Sequence, residues 1–152
     1  MREILFRGKR VDNGEWVEGQ TIVVIHQDDN DLIFMPQHGE DVKADPMEGN
    51  DRALTSIYGN YYQILPQTVE QYTGLTDKNG KKIFEGDIVK HESGATVLFH
   101  KVIFERRNGC AYFGAVMGEY ETWGFCNSFP PTLVEVVGNI HDNPELLEEV
   151  EE

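Results

Sequence analysis

The chain has 152 residues, 39% hydrophobic and 26% charged, which suits a single soluble globular domain over residues 1–152. Thirteen basic residues against 27 acidic ones leave a net charge of -14, a field that repels phosphate backbones and anionic lipid and so argues against direct nucleic-acid binding. Two cysteines without a CxxC pair argue against a zinc finger or a disulfide-stapled fold, and no run of eighteen apolar residues offers a membrane span.

The acidity is not confined to the tail, although Glu145, Glu148, Glu149, Glu151 and Glu152 all lie there. The opening "MREILFRGKR" flanks a very short apolar run with charges and shows no small-residue cleavage site. The expected home is therefore a reducing cytoplasm.

In chain order, two strand-like runs flank the turn residues Asp12, Asn13 and Gly14. Asn-Gly supplies the positive φ angles of a tight hairpin, so Ile4 to Arg7 and Trp16 to Ile25 read as an opening hairpin. "DLIFMP" follows as a short strand behind the polar turn Gln27 to Asp31. Residues 37–53 are rich in Gly, Asp, Glu and Pro and read as a long exposed loop. "YYQILPQTVEQYTGL" is aromatic and β-branched around Pro66, which predicts an edge or bulged strand. "TGLTDKNGKKIFEGDIV" reads as a turn followed by a strand from Lys82 to His91. "ATVLFHKVIFERRNGCAYFGAVM" is the clearest hairpin, with Asn108-Gly109 joining two long β-prone runs. Glu119 to Pro131, with Trp123, Phe125 and Phe129 among Gly and Pro, reads as an aromatic connection closing the core, and "TLVEVVGNI" as the last strand. A short helix is predicted over residues 143–151, with Asn143 as N-cap, Pro144 first and Glu145 at the positive end of the helix dipole. Leu146, Leu147 and Val150 would form its apolar stripe. The expected fold is mainly β: a small barrel-like or sandwich arrangement of antiparallel hairpins with that helix at its end.

"NGEWVEGQTIV" at Asn13 to Val23 nearly repeats in "NGKKIFEGDIV" at Asn79 to Val89. A duplicated strand-turn-strand unit would explain the echo, and so would the residue preferences of any hairpin. Three blocks, "FRGKRVDNGEWVEG", "QYTGLTDKNGKKIFEGDIVK" and "VVGNIHDNPELLEE", in this order and spanning nearly the whole chain, resemble the signature blocks of the YopX family of bacteriophage and prophage proteins. The resemblance implies a phage- or prophage-encoded cytoplasmic protein, mainly β, from a family without an assigned reaction. It implies no functional residues.

The acidic turn beginning at Asp77 invites comparison with an EF-hand loop, but Gly80 falls at position four, Lys81 at five, Lys82 at six and Ile88 at twelve. A structural turn without bound metal is expected. Asp87, after Glu85 and Gly86, reads as a turn-fixing carboxylate bonded to nearby backbone N–H groups. His141 beside Asp142 could serve metal or acid–base chemistry, yet neighbours on extended chain point to opposite faces, and Asp142 and Asn143 suit helix capping. His26, His38, His91 and His100 lack zinc-site spacing, and no GxSxG, P-loop or GxGxxG pattern is present. Cys110 and Cys126 are expected to be buried free thiols; a nucleophilic role would need a nearby cation, for which only Arg106 and Arg107 are at hand.

No catalytic, cofactor or metal site is therefore assigned. The reading adopted is a non-enzymatic interaction or assembly protein, forming a homo-oligomer or engaging a host or phage protein. Two alternatives stand beside it: an acidic decoy occupying a nucleic-acid-binding surface of a host protein, and an enzyme using His141, Asp142, Asp87 or Glu85.

Overall fold

The computed structural model describes residues 3–36, 61–117 and 121–148. The exposed loop expected over residues 37–53 lies outside them. The chain divides into two compact units, described residues 3–71 and 72–148.

In the first unit, β1 (Phe6–Lys9) pairs antiparallel with β2 (Trp16–Gly19), with Lys9 opposite Trp16 at the turn end. Arg10 N–H donates to the Glu15 carbonyl at 2.9 Å, and Asn13 Oδ1 accepts from the Glu15 N–H at 2.9 Å, so side chain and backbone together close the turn. The expected second strand, Trp16 to Ile25, divides. After Gly19 the chain leaves β2, and β3 (Val23–Gln27) pairs instead with β4 (Asn30–Pro36). β5 (Tyr61–Ile64) pairs with the other side of β4 and forms the edge of this three-stranded sheet. Phe34 and Met35, adjacent on β4, are both fully buried, so both faces of that strand are covered.

Pro66 breaks the aromatic stretch into β5, a 3-10 turn (Pro66–Thr68) and β6 (Glu70–Thr76), rather than bulging one strand. The start of β6 pairs with β1, Arg7 opposite Glu70. Gly8 is required on β1 because a Cβ there would run into Ile64 Cγ2.

In the second unit, the later part of β6 pairs with β7 (Lys82–Phe84). The predicted strand Lys82 to His91 is in fact two strands, because Gly86 takes φ +84° between β7 and β8 (Asp87–Ser93). β8 joins a five-stranded antiparallel sheet ordered β11-β10-β9-β8-β12, with β9 (Thr96–Arg107), β10 (Cys110–Val116), β11 (Thr122–Gly124) and β12 (Val134–Asn139). Asn108 and Gly109, at φ 51° and 78°, make the left-handed two-residue turn that the Asn-Gly pair predicts, and Arg107 lies opposite Cys110. One face of this sheet holds the core of the unit: Val89, Val102, Ala115, Val134 and Val136, covered by Ile83 and Phe129. Each of the valine, isoleucine and phenylalanine side chains, removed from water, contributes roughly 1.5–3 kcal/mol.

Two expectations are corrected. All three sheets are open antiparallel sheets, and none closes into a barrel among the described residues. The C-terminal helix over residues 143–151 is not found: the described part is a single 3-10 turn, Pro144–Leu147, and residues 149–152 lie outside the description. Asn143 makes no side-chain cap to it, because its Oδ1 points back toward the Asn139 N–H at 3.4 Å. A single turn is too short to count as an α-helix.

Candidate functional site

The middle and last sequence blocks meet in the second unit, and the sequence-selected polar residues collect at that seam. Asp77 stands at its centre, 3% exposed. Its Oδ1 accepts from the N–H groups of Asn79 at 2.8 Å and Lys81 at 2.9 Å, tightening the β6–β7 turn. Its Oδ2 accepts from the Val136 N–H at 2.9 Å, fifty-nine residues along the chain. Beside it, the Lys78 N–H donates to the Val134 carbonyl at 3.0 Å. Burial alone would raise the Asp77 pKa, but the N–H groups of Val136, Lys81 and Asn79 favour the anion and together hold it below the ordinary aspartate value of 3.8. This carboxylate is a clamp between a turn and a strand, and its oxygens are occupied by backbone donors.

Asp87, 1% exposed, accepts at Oδ2 from the Phe84 N–H at 2.8 Å and so fixes the bend at Glu85 and Gly86, as its position after a glycine suggests. Opposite Asp87 in the sheet register is Asn139 on β12. The Asn139 Oδ1 accepts from the N–H groups of His141 at 2.9 Å and Asp142 at 3.0 Å, while its Nδ2 donates to Asp142 Oδ2 at 3.0 Å. The Ile140 N–H reaches the Gly86 carbonyl at 2.9 Å.

Glu85, Asp87, His141 and Asp142 therefore belong to one neighbourhood of the fold, joined through backbone. His141 and Asp142 lie in a turn, not on extended chain, so the opposite-face expectation does not apply to them. What the arrangement does chemically is to satisfy backbone donors at two bends. Asn139, missed by sequence reasoning, is the residue that organises it; its place in an Asn-x-x-Asp-Asn run after a glycine was the available signal.

The cysteines differ from expectation. Both are exposed: Cys110 follows the hairpin turn at the start of β10, and Cys126 opens a tight turn in which its N–H and carbonyl exchange bonds with Phe129. The Ser128 hydroxyl, 3.6 Å from the Cys126 sulfur, lowers the thiol pKa, helped by the backbone N–H groups of Phe129 and Ser128 rather than by any arginine. The aromatic connection closes the core only in part: Phe129 is buried, with Phe125 stacked on it at 5.8 Å, while Trp123 meets Phe129 edge-on at 5.7 Å and stays 45% exposed.

Two histidines on the core face were also unremarked by their spacing. His91 on β8 and His100 on β9 place their rings 5.9 Å apart, and Phe129 packs edge-on against His91 at 5.2 Å. His26, on β3, pairs at the surface with Asp31 at 2.6 Å. In the first unit, Arg7 bonds Glu70 through Nε at 2.8 Å, an ion pair whose side chains are 13% and 6% exposed, with the Trp16 ring 4.7 Å from the guanidinium.

The protein defined by these features is a mainly β chain of open antiparallel sheets in which buried carboxylate and amide side chains lock the bends. Residues 5–148 match the family model described as YopX protein, and the chain belongs to the YopX family. No curated protein matches. Among solved structures, the crystal structure of protein EF1440 from Enterococcus faecalis is similar, with 24% identity over 97% of this chain and 99% of that one and a TM-score of 0.48. No helix among the described residues is long and apolar enough to cross a membrane.

Proposed function

We propose that this protein, phage- or prophage-encoded, works without catalysis as an assembly protein, and that the occupant of its binding surface is a second copy of the same chain. The surface is the arm formed by β9 and β10, together with β11 at the edge of the sheet. Phe104, 45% exposed, packs at a tilt against Phe113, ring centres 5.1 Å apart, on one face of the arm, and Trp123 stands on the edge strand beyond it. Open strand edges with adjacent apolar side chains are what sheets use to recruit another chain.

The single observation that carries the choice of partner is charge. The tip bears exposed Arg106 and Arg107 on a chain whose net charge is -14. Two such chains repel as wholes, so they associate only where a basic element of one meets the acidic body of the other. The polar residues of the β8–β12 seam support the non-catalytic part of the reading, because Asp77, Asp87 and Asn139 are committed to backbone N–H groups.

Light scattering at micromolar concentration tests it. The unmodified chain is expected to run as an oligomer, and either Phe104→Ser or the pair Arg106→Glu with Arg107→Glu is expected to shift it to monomer with an unchanged far-UV spectrum. A monomer from the start, or an oligomer indifferent to both changes, would remove the proposal.

A further inference from the structure

The core face of the five-stranded sheet, built on Val89, Val102, Ala115, Val134 and Val136, also carries two imidazoles that β8 and β9 set side by side. The register makes them neighbours: Val89 lies opposite His100, and His91 lies opposite Leu98, so both rings rise from the same face. His100 is 7% exposed, and its Nδ1 sits 3.0 Å from the Val116 carbonyl. A carbonyl can only accept, so Nδ1 carries the proton and Nε2 of the neutral ring is a bare lone pair. That Nε2 is buried and meets no hydrogen-bonding group among the described residues, and neither does the buried Nδ1 of His91. The lid over the pair is Phe129, edge-on to His91 and in turn contacted by Trp123 and Phe125.

We propose that His91 and His100 form an acid-sensitive latch: neutral, they hold Phe129 down on the sheet, and protonation lifts Phe129 and the segment 125–131 away without unfolding the strands. Protonating His100 creates an N–H donor at its buried Nε2 and places positive charge beside the His91 ring, a situation relieved by admitting water. Among the described residues, no carboxylate bonds His91 Nδ1 or His100 Nε2. On the same face, β8 carries Asp87, two residues beyond Val89 and already bonded to the Phe84 N–H, and β9 carries Arg106 near the arm tip. β10 and β12 face the pair with Ala115, Val134 and Val136, Met117 follows β10, β6 and β7 bring Leu75 and Ile83, the lid segment brings Phe125 and Phe129 with the exposed Cys126, and the Pro144–Leu147 turn packed against β9 carries Glu145. Lys90 and Glu135 pair with each other at 3.4 Å on the opposite face.

The direction agrees with the environment of His100, whose pKa is lowered from the ordinary imidazole value of 6.5 by burial first and by the neighbouring His91, against the Val116 carbonyl, which raises it. A lowered folded-state pKa means that the latch is fully closed above the ordinary value and loosens as pH falls below it through the folded value.

Trp123 supplies the readout. In a Trp16→Phe background, the Trp123 emission is expected to shift reversibly to longer wavelength between about pH 7 and pH 5 while the far-UV spectrum stays constant. The double change His91→Phe with His100→Gln, which keeps an aromatic ring under Phe129 and a donor to Val116, is expected to abolish the shift. Should that variant not fold, His91→Phe alone is expected to displace the midpoint to higher pH, because the neighbouring His91 is one of the groups that lowers the His100 pKa, and imidazole nitrogen NMR of the unmodified chain is expected to show His100 as the neutral Nδ1–H tautomer at pH 7.5. A flat Trp123 signal, a shift unchanged by the substitutions, loss of the far-UV signal in step with it, or an Nε2–H tautomer would each overturn the latch.

Discussion

The carboxylate of Asp77 accepts three backbone N–H bonds, two inside its own turn and one from Val136 on a distant strand. Removing it leaves donors exposed to a low-dielectric seam, of which the Val136 N–H is the most deeply buried. Asp77→Ala is expected to cost about 2–4 kcal/mol in urea unfolding, and Asp77→Asn less, because the amide keeps one acceptor oxygen. The pH dependence follows from the sign of the shift. Since the folded pKa lies below the ordinary value, the contribution is complete above that value and disappears as pH falls through the folded one. The stability gap between the unmodified chain and Asp77→Ala should therefore be constant from about pH 5 to 8 and narrow below about pH 4. A calcium titration giving micromolar affinity that is lost in Asp77→Ala would contradict the clamp. The sequence shows Asp77 as a turn residue, since Asx turns are local; its bond to Val136 depends on which strands pair, which no local pattern records.

At the level of elements, the hairpins that sequence reading recovered are those whose turns require positive φ. Asn108 and Gly109 make such a turn, and the same chemistry placed the turn after Asp77. The breaks were harder to see. Gly19 and Gly86 each lie inside a run of strand-forming residues, and a glycine in a strand pattern reads equally as a bulge, a close approach or a stop. The echo between the two hairpins has limits in three dimensions as well. Arg10 closes the first turn onto Glu15, whereas Asp77 closes the second onto Lys81, a loop one residue shorter and anchored by a buried carboxylate. The described part of the C-terminal segment has the cap residues of a helix but forms a single 3-10 turn.

Gly114 tests the β10–β11 pairing directly. A Cβ there would stand 2.5 Å from the Trp123 carbonyl oxygen and 2.9 Å from the Gly124 Cα, backbone atoms that cannot yield without separating the strands. Gly114→Ala is expected to cost about 1–3 kcal/mol and to release β11, seen as a red shift of Trp123 emission in the Trp16→Phe background. Gly80→Ala, where open space surrounds the added Cβ and only the φ of 79° is unfavourable, should cost about 1–2 kcal/mol and leave Trp123 emission unchanged.

For the whole molecule, charge sets the terms of association. A chain at -14 resists its own copies, and in the proposed assembly the cationic arm tip is what would make self-contact selective. Composition made the acidity plain, but the arm's reach, its exposed Phe104 and its place beside an edge strand needed the strand order. The neighbouring imidazoles were likewise hidden: eight residues lie between His91 and His100, and only the β8–β9 register brings them onto one face. The most direct measurement of the central claim is hydrogen–deuterium exchange compared between dilute and concentrated protein. If the arm binds a second copy, amides across Thr96 to Val116 gain protection on concentration while those of β3 to β5 do not change. Concentration-dependent protection confined to β3 to β5, or none anywhere, would contradict it.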